Sequence, residues 1–120
     1  MEMQISFSKQ ENEALPLFRQ RLSSAESIED VKKFFVYTSK EILEDIFSNQ
    51  LEVNYEDVAL MTEEAPYYKI SAGLNASETF KSVWNNSDLQ HVVSRFAKTA
   101  MKRCKHLDKH PEKTESKIRM

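Results

Sequence analysis

A single glycine, Gly73, and three prolines, Pro16, Pro66 and Pro111, are all the backbone punctuation in 120 residues. A sandwich or barrel of many short strands needs turn residues at regular intervals, so this scarcity favours helices and leaves room for only a small sheet. The length suits one domain, which at this size buries roughly two-thirds of its unfolded surface and needs no metal or disulfide for stability. Hydrophobic residues make up 40% and charged residues 30%, the balance of a globular chain rather than a disordered one.

Periodicity then places the elements. Met3, Ile5 and Phe7 alternate with polar neighbours, which predicts a strand over residues 2–8. Pro16 suits a first helical position, so a short separate helix is expected over 16–22, after a polar helical turn or two over 8–14. Ser27, with Asp30 three residues on, caps a helix over 27–48. Its stripe runs through Ile28, Val31, Phe34, Phe35, Thr38, Ile42, Ile46 and Phe47, and Asn49 is the expected stop. Residues 57–62 and 67–72 read as a hairpin turning through Glu63-Glu64-Ala65-Pro66; a helical reading of 57–64 stays open, because Ala, Leu, Met and Glu all favour helix. Asn75 with Glu78 reads as the cap of a short helix burying Phe80, Val83 and Trp84. Asn85-Asn86 stops it, and Ser87 with Gln90 matches a capping box for a helix over 88–107.

The expected fold is therefore α+β: about three antiparallel strands packed by four helices, in the order β-α-α-β-β-α-α. Residues 1–107 form the domain and 108–120 a flexible basic tail.

Charge is unevenly placed. Residues 1–64 carry 14 acids against 6 bases, a net of −8, whereas residues 98–120 carry 3 against 8, a net of +5. Such asymmetry points to an interacting end or to two ends of one fold that attract each other. The lone Cys104 closes no internal disulfide, no signal-peptide pattern opens the chain and no run approaches a membrane span. The cytoplasm is the expected location, with no membrane partner.

Three functional classes follow. The first is a binding or regulatory module acting through protein contacts, with a protein partner or a second copy. Phe35 and Tyr37 widen the apolar stripe of the helix over 27–48, and Tyr67 and Tyr68 point to opposite faces of a strand, so these four are the expected anchors. The second is a nucleic-acid binder. The helices over 76–107 with their turn at 85–87 resemble a helix-turn-helix, in which Gln90, His91, Ser94 and Arg95 reach base edges while Lys98, Lys102 and Arg103 reach phosphates. Asp88 argues against this, because it sets a negative charge where a phosphate would approach. The third is an enzyme of unrecognised type. One glycine cannot build a phosphate-cradling loop, and no nucleophile pair stands out among three histidines. Cys104, His106 and His110 are the only metal-like cluster. They fall short of the four ligands structural zinc needs, so neither metal nor cofactor is expected.

Overall fold

The computed structural model describes residues 6–48, 51–64 and 66–109. Five helices, α1 (Ser8–Ser24), α2 (Ile28–Ile46), α3 (Ala72–Asn75), α4 (Glu78–Asn85) and α5 (Leu89–Lys109), accompany strands β1 (Val58–Leu60) and β2 (Tyr68–Ile70). The α+β class holds. Within the described residues the sheet has two antiparallel strands in register Val58↔Ile70 and Leu60↔Tyr68, where three were expected. Most of the expected strand over 2–8 lies outside the described residues, and Ser8 already opens α1.

Pro16 sits inside α1 instead of starting a second helix. Proline removes one intrahelical donor, and here tertiary packing outweighs that loss. Phe18 and Leu22, the two buried residues of α1, lie beyond the proline, and Phe18 stacks on Phe96 of α5 at 5.0 Å. Joining the two short pieces into one helix aligns that apolar pair with the polar contacts described below.

Helix α2 forms as the sequence requires. Ser27 accepts from the Asp30 amide at 3.1 Å, Asp30 reaches back to the Glu26 amide at 3.0 Å, and Glu29 and Asp30 meet the positive end of the helix. Ser48, at φ 51°, takes the left-handed conformation that ends it; the expected stop at Asn49 lies outside the described residues. Two expected caps move. Ser71 and Ser77, not Asn75, cap α3 and α4 by accepting from Leu74 and Phe80. The Gln90 amide donates to the Trp84 carbonyl at 3.2 Å rather than closing a box on Ser87, whose hydroxyl accepts from Leu89. Serine oxygens on short stems reach nearby helix amides with less ordering than a glutamine needs.

Helices α1, α2 and α5 enclose most of the core, with Phe18, Val31, Phe35, Leu43, Leu89, Val92 and Phe96 fully or almost fully buried. The hairpin closes one side, β1 against α2 and β2 against α5. Tyr67 holds the hairpin turn at φ 74°, a strained position for an aromatic residue. Its carbonyl accepts from Met61 and its amide donates to Glu64.

Candidate functional site

Three polar fastenings hold the segment around α1 against α5. Arg95 of α5 grips Glu11 of α1 through two bonds of 2.7 Å. These bonds push its guanidinium further up from its ordinary value, against a smaller opposing effect of burial. Arg103, two turns on, donates to the carbonyls of Ser23 at 3.2 Å and Ala25 at 2.9 Å. Early residues of the two helices thus meet early, and late residues meet late, so α1 and α5 run parallel. Asp88, ahead of α5, accepts from the Phe7 amide at 2.8 Å and the Ser6 hydroxyl at 3.1 Å, so the start of α1 covers the start of α5.

On the other side, Asp57 fixes the loop before β1. Its carboxylate accepts from the Asn54 amide at 2.8 Å and the Ser71 hydroxyl at 2.6 Å, and its carbonyl accepts from the Ser71 amide. This locks a single 3-10 turn, Tyr55–Asp57, beside α2. A groove of about 350 Å³ opens between them, lined by Glu29, Lys32 and Val36 of α2 and by Tyr55, Glu56, Val58, Ala59 and Leu60. At its rim Tyr37 and Tyr55 meet edge to face at 5.9 Å, and both stay exposed, at 41% and 46%. Met61, just past Leu60, is also exposed. Residues 51–64 contain five acids and no base, which makes this flank of the groove acidic.

The expected contact residues separate accordingly. Tyr37 is on the surface, but Phe35 is fully buried and is no surface anchor. The two lie about 160° apart around the helix, and Phe35 is within about 60° of Val31, Thr38 and Ile42. Tyr67 and Tyr68 are both half-buried against the core. Tyr68 rests edge-on against Trp84 at 6.1 Å, and burial raises its phenol. Tyr55 was not among the expected anchors. It precedes the hairpin expected from residue 57, and the 3-10 turn carries it outward.

The expected nucleic-acid contacts also divide. Gln90 and Arg95 are engaged with Trp84 and Glu11, while His91, Lys98 and Lys102 are exposed. Arg103 turns inward, with its Nε buried and unpartnered. The signal was in the spacing: Arg103 follows Phe96 by seven residues and Val92 by eleven, so all three share one side of α5.

Cys104 is buried on the inner face of α5. Burial pushes its thiol up, and Lys32 pulls it partly back. His110 lies outside the described residues, among which no three His, Cys, Asp or Glu side chains gather as metal ligands. A second groove, of about 240 Å³, runs between α1 and α2. Arg21 crosses it to Thr38 at 3.0 Å and Glu41 at 3.1 Å, so its charge is compensated within the groove. No described helix is long and apolar enough to cross a membrane. No known protein family, curated protein or solved structure matches this chain.

Proposed function

We propose that this chain is a protein-binding module whose contact surface is the groove between α2 and β1. One observation carries the reading: Tyr37 and Tyr55 pack on each other at the groove rim while keeping about two-fifths or more of their surface open. Tyrosine supplies a large, stiff contact area at little entropic cost, and central aromatic residues dominate binding energies at protein interfaces. Val36, Ala59 and Leu60 offer an apolar floor beneath the pair. Glu29 and Glu56 at the edges, with the acidic loops beyond, favour a partner whose contact patch is rimmed by bases. A second copy of the chain qualifies as partner, since residues 98–120 carry a net of +5.

A photo-crosslinking side chain placed at Tyr55 should trap a discrete partner or a second copy. The same probe at exposed Gln20 of α1 should not. Tyr37→Ala should weaken the captured complex roughly 30-fold, the effect of losing a contact worth about 2 kcal/mol. Equal trapping at both positions, or none at Tyr55, removes the groove as the contact surface.

A further inference from the structure

Helix α5 presents a second surface, on the side of the molecule that the groove does not use. Between Leu89 and Leu107 the helix carries Arg95, Lys98, Lys102, Arg103 and Lys105 and no acid. Arg95 and Arg103 are bound to α1. Lys98, Lys102 and Lys105 are exposed, and none of the described residues pairs with them. At about 100° per residue the three lie within about 60° of one another, one turn apart, and directly opposite the buried stripe of Leu89, Phe96 and Ala100. His91 occupies the same row one turn before Arg95.

We infer that this row binds the phosphate backbone of duplex DNA, without reading its sequence. The absence of base readout follows from the start of the helix. Asp88 is held by Phe7 and Ser6, Gln90 by Trp84 and Arg95 by Glu11. Of the residues a helix-turn-helix would aim at base edges, Gln90 and Arg95 are therefore engaged and His91 stays exposed, while Asp88 and Glu11 add negative charge there. What stays free is three ammonium groups on flexible stems, suited to phosphates as point charges.

The nature of the face selects the partner. The exposed large hydrophobic side chains, Leu17, Tyr37, Tyr55 and Met61, all lie elsewhere. A protein interface is built on a desolvated apolar centre, and a membrane-surface helix inserts apolar residues; this row offers neither. Duplex DNA binds such a face by charge alone, because it carries one charge per about 1.7 Å and gains free energy by releasing counterions.

The test is fluorescence anisotropy of a labelled mixed-sequence duplex with the full chain, across a salt series. Three phosphate contacts predict a log–log slope of about −2.7, an affinity loss of about 40-fold between about 50 and 200 mM salt. Lys102→Gln should reduce that loss to about 12-fold, and the triple variant Lys98→Gln/Lys102→Gln/Lys105→Gln should abolish binding. All three positions are exposed, so circular dichroism should report an unchanged fold, and residues 110–120 remain in every variant. A second duplex of unrelated sequence should bind equally. The inference is overturned by no binding at low salt, or by binding that survives the triple variant and so belongs to the tail. It is equally overturned by tighter binding to single-stranded RNA, polyglutamate or phosphatidylserine vesicles than to the duplex.

Discussion

The seam between α1 and α5 and the groove between α2 and β1 use aromatic and charged residues in opposite ways. In the seam, Phe18 and Phe96 stack completely out of solvent, and two arginines are spent on partners within the chain. In the groove, Tyr37 and Tyr55 meet edge to face and remain half open, while Glu29 and Glu56 look onto solvent with no partner among the described residues. Ring-to-ring contacts thus lie wholly inside the core in one place and at the surface in the other. The difference lies in what surrounds the pair. Two long helices enclose the first, and a helix and a three-residue turn leave one side of the second uncovered.

Substitutions at three positions test that contrast. Phe18→Ala should have the largest effect, a loss of about 3–5 kcal/mol read by urea unfolding, because it leaves a cavity against Phe96. A loss under about 1 kcal/mol would mean that the seam is not packed as described. Arg103→Ala should cost about 1–3 kcal/mol, since it strands the carbonyls of Ser23 and Ala25 near the end of α1. Arg103→Lys should recover only part of this, because the shorter lysine stem does not carry its ammonium to where the arginine Nη2 reaches both carbonyls. Tyr55→Ala should change stability by no more than about 0.5 kcal/mol while lowering partner capture. A destabilisation as large as that of Phe18→Ala would make the tyrosine pair a piece of core and end the distinction between the two regions.

How much of this was legible depended on whether the determining interaction is local. The α2 cap at Ser27, the antiparallel pairing near 58–70 and the long inward stripe of α5 rest on residues within one or two turns or one hairpin, and all were readable. Pro16 misleads because its local preference is outweighed by Phe96, some eighty residues away. Arg103 was placed with the solvent-facing bases on residue type, although its spacing from Phe96 put it on the inner side. Tyr55 could not be found from local pattern, because the 3-10 turn that carries it is held through Asp57 by Ser71, fourteen positions further on.

By itself the sequence determined the α+β class, the principal amphipathic helices and the separation of an acidic first half from a basic end. These follow from period, capping and composition, which act over a few residues. The tertiary structure decided which charges are spent and which are free, and which aromatic residues are core and which are surface. Those outcomes depend on contacts such as Glu11 with Arg95, eighty-four residues apart. Residue type and local spacing are the same whether or not such a partner arrives, so only the packed chain distinguishes Arg103 from Lys102 and Phe35 from Tyr37.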